Sequence, residues 1–492
     1  MLGMYVHTHW AYNRPYAART WTLEDWQAYL SGLKTLGYDF ILLWPQLDCM
    51  PGAPNPSDQA YLAKIARVID LAHNTYDMRF GITAAPNTIG NDRAPAYSFE
   101  QRPYFVCEQK VNPSDPAAVA RFLAGRRQQL APLAHADAFF MIDSDPGGYI
   151  GSTDEEFVAL MQAQLNILRE TNPAMEMVYW MWVGWENYNS FWARAASQKE
   201  GEPDPEIQVN VQDFRKTLPL MAERIAEPWS VTASNAVHQQ ATDQLGLANK
   251  RAFFPYGLIE GEPTFPLTRY APQAIADRLS DYSPAVYPRG ILANSQTHCM
   301  QLPGAFLFAH FAQGGSMATA DLEQFASHVI PDCAAIVARG WSLLETDSAA
   351  DPRAADLRAA SCAVRAEAGK PLRMGKASGL LFGDADRFLI DLADNLEIRA
   401  ALVDLRAVIY EHGDAKRALR TLLATLMPYQ ARVGFVDAYY GPLRADLNEQ
   451  VALLNDPTLT AIASDFSNWR EPARRNGVAQ RYFDALAAYA SA

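Results

Sequence analysis

The sequence predicts a (β/α)8 TIM barrel followed by an α-helical C-terminal domain. Over the first two thirds of the chain, eight short runs rich in β-branched and aromatic residues alternate with longer helical patterns. The first run is not followed by the Gly-rich phosphate turn that is usual in open doubly wound sheets. From about residue 318 onward, helical patterns rich in Ala, Leu and Arg replace the strand patterns. We therefore predict a catalytic barrel over 1–317 and a helical domain over 318–492.

The alternating pattern defines each element in order. The predicted strands are 4–10, 40–45, 79–86, 138–145, 177–183, 229–234, 252–259 and 290–295. Between them, helices are predicted over 22–37, 57–74, 115–133, 153–171, 211–226, 238–249 and 272–282. The first four helices begin at Thr, Ser or Asp, which are favoured N-caps. In the second helix, Leu62, Ile65 and Ile69 recur at the helical spacing that a face packed on a sheet requires.

Composition excludes several classes of function. The net charge is −13 and there is no run of Lys and Arg, so nucleic acid and anionic membranes are poor partners. No segment reaches the roughly 18 apolar residues of a membrane helix. The five cysteines are odd in number and lack a CxxC spacing, which indicates reduced thiols rather than a zinc ribbon or a disulfide framework. We expect a bacterial protein that is cytoplasmic, or periplasmic or secreted if a leader has been trimmed.

The fourth predicted strand ends in two aspartates, Asp143 and Asp145. Enzymes with this fold bind substrate at the carboxyl ends of their strands. Residues two apart on a strand share a face, so we expect both aspartates to point with Met141 into the barrel opening. Close like charges raise the pKa of one carboxyl, as a general acid requires. The alternative is a turn cap with one solvated carboxylate.

Two further carboxylates follow predicted strands. The fifth strand continues into a loop with Trp182, Trp185 and Glu186. Aromatic faces pack on the apolar faces of sugar rings, although a packed tryptophan core would give the same pattern. The seventh strand leads to Glu260, which is either a second site carboxylate or part of an exposed turn. Loops after barrel strands often carry function, which favours Glu186 as a site residue.

His7 and His9 on the first strand form the HxH pattern with which metal-dependent amidohydrolases begin. Those enzymes also need a Lys at the end of strand four and a His on strand five, and this chain has neither. We therefore predict no metal and no cofactor, and expect both histidines to donate hydrogen bonds to substrate. The alternative for one of them is a histidine packed in the core. A DxD motif such as 143–145 also holds a metal in nucleotide-sugar transferases, but their open sheets do not fit the strand count.

Polar or aromatic residues stand at the carboxyl end of almost every predicted strand. This composition is typical of a sugar pocket. The further substrate-binding candidates are Trp44, Gln46, Asn87, Tyr256, Asn294 and His298.

The sequence resembles (β/α)8-barrel glycoside hydrolases in three stretches: LKTLGYDFILLWPQ (33–46), MIDSDPGGYIGST (141–153) and the helical C-terminal third. Its strand-four acids resemble the acidic pair of β-hexosaminidase-type enzymes, although Ser144 separates them here where hexosaminidases carry adjacent Asp and Glu. The plan of a barrel plus a helical tail is similar to that of bacterial α-glucuronidases and α-N-acetylglucosaminidases.

These observations predict an exo-acting glycosidase with a carbohydrate substrate. Asp145 is the expected general acid, Asp143 orients it or stabilises the transition state, and Glu186 or Glu260 is the base or nucleophile. The alternatives are a metal-dependent hydrolase built on His7 and His9, and a non-catalytic carbohydrate-binding barrel. The helical domain either buttresses the barrel or forms a homodimer contact.

Overall fold

The structure is a computed structural model that describes residues 1–10, 12–142, 148–149, 151–181, 214–259, 267–268, 270–345, 353–434, 444–467 and 478–492. All eight predicted barrel strands are present, and the chain adds a two-stranded antiparallel sheet that was not predicted. In chain order the strands are β1 (Leu2–Val6), β2 (Phe40–Leu43), β3 (Arg79–Ala84), β4 (Thr88–Gly90), β5 (Glu108–Lys110), β6 (Ala138–Ile142), β7 (Glu176–Trp180), β8 (Trp229–Ala233), β9 (Arg251–Phe253) and β10 (Ile291–Ser295).

Eight parallel strands close into a barrel in the order β1-β10-β9-β8-β7-β6-β3-β2, which confirms the predicted (β/α)8 fold. The first two strands pair with Gly3 opposite Phe40 and Val6 opposite Leu43. The Ile291 amide donates to the Met1 carbonyl at 3.0 Å, where β10 meets the start of the chain. Because the strands are parallel, their carboxyl ends meet at one end of the barrel.

Large side chains fill the barrel interior, so it is a packed core. A Cβ on Gly81 would lie 2.7 Å from the Phe40 ring, so the glycine in β3 makes room for the aromatic side chain of β2. Ile142 and Phe140 of β6 belong to the interior cluster, whereas Met141 between them does not. The cluster consists of Tyr5, Phe40, Leu42, Trp44, Ala85, Ala138, Phe140, Ile142, Val178, Trp180, Phe254 and Leu292.

A buried glutamate lies at the amino end of the barrel. Glu176, the first residue of β7, accepts hydrogen bonds from Ser230 at 2.7 Å, from Arg79 at 3.1 Å and from Arg289. Burial acts to raise the pKa of Glu176, but these hydrogen bonds and the charge of Arg289 outweigh it, so the pKa lies below its usual value. Polar groups thus bind the starts of several strands together at the end opposite the candidate site.

Helices follow the barrel strands as predicted, and their N-caps explain where several begin. Thr22 and Thr153 form capping boxes with Asp25 and Glu156. The helix predicted from Ser57 instead begins at Pro56 and is capped by Asn55. The helices up to residue 279 are α1 (Leu23–Thr35), α2 (Pro56–Tyr76), α3 (Tyr104–Cys107), α4 (Pro116–Leu130), α5 (Asp154–Arg169), α6 (Phe214–Arg224), α7 (Ala236–Gln244) and α8 (Pro272–Leu279).

The C-terminal part of the chain is helical, as predicted. No helix of the described residues is long and apolar enough to cross a membrane. The remaining helices are α9 (Leu302–Ala312), α10 (Leu322–Ser327), α11 (Ala334–Leu343), α12 (Ala354–Arg365), α13 (Ala385–Tyr410), α14 (Ala415–Val433), α15 (Arg444–Leu453), α16 (Pro457–Ser467) and α17 (Val478–Ser491).

The chain divides into two compact units. The first unit comprises 1–9, 38–256 and 281–293, and the second comprises 10–37, 257–280 and 294–492. Most of the barrel strands lie in the first unit, and all helices from α9 onward lie in the second. The predicted domain boundary between 317 and 318 stays a prediction.

A buried ionic network holds the second unit together. Asp391 on α13 accepts hydrogen bonds from Arg387 at 2.7 Å, from Arg432 at 2.9 Å and from the Tyr16 hydroxyl at 3.0 Å. Arg432 also donates to Asp394 at 2.6 Å. We call these five residues the Asp391 cluster. It connects α13 to α14 and to the segment that precedes α1.

Candidate functional site

Aromatic side chains gather at the carboxyl ends of the strands in the first unit. The Trp180 ring lies 5.4 Å from Tyr5, 6.2 Å from Trp44, 4.6 Å from Phe254 and 6.0 Å from Tyr256, measured between centroids. Four of these five rings belong to the barrel core, and the partly buried Tyr256 packs against it. We call the five the aromatic layer. The structure therefore brings together two predicted site residues, Trp44 and Tyr256.

His7 and His9 follow directly after β1 and form a pair. Their Nδ1 atoms are 2.7 Å apart, so one Nδ1 carries the proton that the other accepts. The His9 ring packs edge-on against Trp44 at 4.5 Å and against Tyr104 at 4.0 Å. In the neutral pair, one Nε2 is a hydrogen-bond donor and the other is an acceptor. The substrate contacts of both histidines stay predictions.

Gln46 secures the loop after β2. Its Nε2 donates to the Thr8 carbonyl at 2.7 Å, and the Thr8 hydroxyl donates to the Trp44 carbonyl. Gln46 is buried and has a φ of 57°, in the left-handed region that costs a non-glycine residue about 1 kcal/mol. The side chain binds backbone in this structure, and its substrate contact stays a prediction.

A buried acid that the sequence analysis missed lies below Trp44. Asp48 accepts the Trp44 indole N–H on Oδ2 and the Ala85 amide on Oδ1 at 3.0 Å. Arg126 on α4 comes within 3.5 Å of Oδ1. Burial raises the pKa of Asp48 to about 6 and lowers the pKa of Arg126 to about 10, because it outweighs their attraction. The one signal in the sequence is an aspartate inside the apolar run LLWPQLDCM (42–50).

Asn87 lies after β3 and has an unsatisfied acceptor. Its Nδ2 donates to the Val111 and Gly148 carbonyls, each at 3.0 Å. Its buried Oδ1 has no hydrogen-bond partner among the described residues, and neither does the buried Thr83 hydroxyl of β3. A buried polar atom without a partner costs about 1–3 kcal/mol, so these atoms indicate a place for water or a ligand.

Two predicted site residues belong to the second unit. Asn294 accepts the Gly257 amide at 2.9 Å. His298 shares a 2.5 Å hydrogen bond with the Tyr29 hydroxyl and packs 5.1 Å from Trp21. Burial lowers the pKa of His298 to about 3, so the ring is neutral. Its surroundings are those of a packed core histidine, and its substrate role stays a prediction.

The predicted catalytic carboxylates lie outside the described residues. They are Asp143, Asp145, Glu186 and Glu260, and Trp182 and Trp185 lie outside as well. Met141 and the two aspartates were predicted to share the face that points into the barrel opening. Met141 is not on that face, because alternation in β6 gives the interior to Phe140 and Ile142, and the strand ends at Ile142. The roles of the two aspartates stay predictions.

Among the described residues, no group of three or more His, Cys, Asp and Glu side chains is arranged to hold a metal ion. His7 and His9 are two histidines and do not make such a group. The hydrogen bond between their Nδ1 atoms also occupies a lone pair that a metal ion would need.

Comparisons with known proteins bear on the fold. No protein-family model matches the chain, and no curated protein matches it. The structure is similar to a family 89 glycoside hydrolase from Clostridium perfringens in complex with 2-acetamido-1,2-dideoxynojirmycin, with a TM-score of 0.52 and 9% identity. That match covers 99% of this chain and 63% of the enzyme. At this identity the likeness shows the shared fold alone.

Two further structures match at lower scores. A family 20 β-N-acetylglucosaminidase has a TM-score of 0.41 and 10% identity, and the match covers 70% of this chain and 75% of that one. The protein CpGH84D has a TM-score of 0.39 and 11% identity, with 95% and 67% covered. TM-scores below 0.5 do not establish a common fold.

Proposed function

We propose that this protein is an exo-acting glycoside hydrolase with its sugar site at the carboxyl ends of the barrel strands. The observation that carries the proposal is the contact of the His7–His9 pair with the aromatic layer, at the end of the barrel where enzymes of this fold bind substrate. The fold shared with a family 89 glycoside hydrolase is consistent with it.

The described residues include groups that fit both the apolar face and the hydroxyl groups of a sugar ring. Tyr256, the partly buried member of the aromatic layer, offers aromatic surface for the apolar face of a pyranose ring, and Trp44, 2% exposed, supports the layer from within the core. The His7–His9 pair brings two polar imidazole rings to this aromatic wall, and the buried Asn87 Oδ1, which has no partner among the described residues, offers an acceptor for a hydroxyl. A site that combines a mostly apolar wall with a few fixed polar groups is typical of small-ligand binding.

The chemistry would rest on carboxylates, as sequence analysis predicted. Asp145 would protonate the glycosidic oxygen, with Asp143 beside it. Glu186 or Glu260 would act as base or nucleophile on the opposite face of the sugar. A carboxyl separation of about 5–5.5 Å gives retention of configuration, and about 6.5–9.5 Å gives inversion.

The test is hydrolysis of a panel of 4-nitrophenyl glycosides that includes uronides, sialosides and N-acetylhexosaminides. The last class belongs in the panel because the family 89 structure holds an acetamido sugar analogue. We expect at least one glycoside to turn over, and Asp145→Asn to lower kcat by about a thousandfold or more while circular dichroism and KM stay close to wild type.

The conservative variant Asp137→Asn is the matched control, because Asp137 immediately precedes β6 at the amino end of the barrel, where its carboxylate accepts the Phe80 amide at 2.6 Å. It should retain kcat. An Asp145→Asn variant with wild-type kcat would remove Asp145 from the mechanism. An inactive wild-type protein that still binds sugars would favour the non-catalytic alternative, and a stoichiometric transition metal in active protein would favour the metal-dependent one.

A further inference from the structure

Asp48 is fully buried at the carboxyl ends of β2 and β3, and both of its oxygens are in use. Oδ2 accepts the Trp44 indole N–H, and Oδ1 accepts the Ala85 amide at 3.0 Å. The acid thus connects a side chain that follows β2 to the backbone that follows β3.

Arg126 and Gln129 on α4 fix the surroundings of this acid. Arg126 donates to the Thr88 carbonyl at 2.6 Å and to Gln129 Oε1 at 3.0 Å. Gln129 Nε2 donates to the Met50 carbonyl at 3.0 Å. The loops after β2 and β3 are therefore both hydrogen-bonded to one helix, and Asp48 lies fully buried between them.

Trp44 connects Asp48 to the candidate sugar site. Its ring lies 6.5 Å from Tyr5, 6.2 Å from Trp180 and 4.5 Å from His9. The indole N–H is the one polar atom of this side chain, and the bond to Asp48 fixes how the ring is rotated. A change at Asp48 would therefore alter the aromatic wall and the histidine pair together.

We propose that Asp48 is a positioning residue of the sugar site, which holds the buried Trp44 indole in the orientation that packs against His9 and the rest of the aromatic layer. The expected effect on sugar binding rests on the proposed function. The hydrogen bond between Asp48 and Trp44 rests on the geometry alone.

A carboxylate at position 48 can accept both hydrogen bonds, and an amide cannot. Two separate donors, the indole N–H and the Ala85 N–H, each need an acceptor oxygen. The carboxylate has two such oxygens, whereas asparagine has one oxygen and an NH₂ group that would face a donor. Asp48→Asn is thus nearly isosteric and still breaks one of the two bonds.

The first experiment follows the indole N–H signal of Trp44 by ¹⁵N–¹H NMR of the full chain labelled at tryptophan, with Trp44→Phe to assign it. We expect a signal shifted downfield by the carboxylate and protected from hydrogen exchange. Asp48→Asn should move it upfield and speed its exchange. An exposed, rapidly exchanging indole in the wild type would overturn the proposal, and this measurement stands even if Asp48→Asn fails to fold.

The second experiment measures KM and kcat on the 4-nitrophenyl glycoside of the panel that turns over fastest. Asp48→Asn should raise KM about tenfold or more, as the loss of one charged hydrogen bond would, with a smaller change in kcat. In a Trp44→Phe background, Asp48→Asn should add little, because the two residues act through one bond. Equal effects of Asp48→Asn in both backgrounds would contradict the positioning role.

Asp58 provides the matched control. It is also a fully buried aspartate in the first unit, and it pairs with Arg102 at 2.7 and 3.1 Å without contacting the aromatic layer. Asp58→Asn should lower stability and leave KM and the Trp44 signal at wild-type values. Equal changes in KM for the two variants would show general loosening and overturn the proposal. A panel without any turnover would instead refute the proposed function and leave the NMR result to decide the Asp48–Trp44 bond.

Discussion

Asp48 and Asp391 are both buried aspartates beside arginines, but their oxygens serve different partners. Asp391 receives two guanidinium groups and a phenol, all at 2.7–3.1 Å. Asp48 receives an indole N–H and a backbone amide, and its arginine approaches no closer than 3.5 Å. The arrangement around Asp391 joins helices, whereas the arrangement around Asp48 orients an indole ring in the candidate site. Buried charge alone therefore does not distinguish scaffold from site, but the identity of the donors does.

The largest expected effect comes from breaking the Asp391 cluster. Asp391→Ala leaves Arg387 buried without its carboxylate, and we expect the free energy of unfolding to fall by about 3–5 kcal/mol. Urea unfolding followed by circular dichroism measures this loss. KM should stay unchanged at a temperature where the variant is folded. A loss below about 1 kcal/mol would show that the cluster adds little to stability.

Asp48 should make the stability of the protein depend on pH. Burial raises its pKa from 3.8 to about 6, so the folded protein binds this proton more tightly than the unfolded chain does. The stabilisation from this proton is complete below about pH 4 and is lost as the pH rises through about 6. Two pK units correspond to about 3 kcal/mol as an upper value.

Urea unfolding of wild type and Asp48→Asn between about pH 4 and pH 8 tests this sign, because the amide cannot titrate. The free energy of unfolding of the wild type, relative to that of the variant, should fall as the pH rises. A rise over the same range would mean that pairing with Arg126 outweighs burial.

A smaller effect is expected from the histidine pair. His9→Phe keeps the ring contacts with Trp44 and Tyr104 but removes the Nδ1 that His7 faces. We expect KM for the best glycoside to rise about five- to tenfold, the value of one hydrogen bond, with little change in stability. An unchanged KM would place the pair outside the sugar site and weaken the proposed function.

The smallest effect belongs to a surface pair. Arg127 donates to Glu170 at 2.8 Å, but both side chains are more than half exposed. Solvent screens such pairs, so Glu170→Gln should leave the urea midpoint and KM unchanged within error. A measurably lower urea midpoint would show that an exposed ion pair also stabilises this protein.

The barrel could be predicted from the sequence because each strand is a short apolar run next to an amphipathic helix. The ends of the strands could not be placed. The first strand was predicted to reach residue 10 but ends at Val6, and the seventh was predicted to reach 259 but ends at Phe253. Apolar residues continue beyond the hydrogen-bonded ladder because side chains that follow the strands, such as Trp44 and Phe254, still belong to the barrel core.

The parts that were missed depend on long-range partners or on the absence of a pattern. Asp48 meets Arg126 on a distant helix, and a single sequence does not reveal that pairing. Helix α9, LPGAFLFAHFA, is apolar on nearly all sides, so it shows no helical period. The face of Met141 was predicted wrongly because Met141 is as apolar as its inward-facing neighbours Phe140 and Ile142.

The filled interior of the barrel also limits the shape of any ligand. Phe40, Phe140 and Trp180 occupy the axis, and Glu176 with its arginines lies at the far end. A polymer therefore has no route through the ring of strands. Whatever binds at the carboxyl ends enters and leaves by that same face, so a bound ligand lies against the ends of the strands rather than between them.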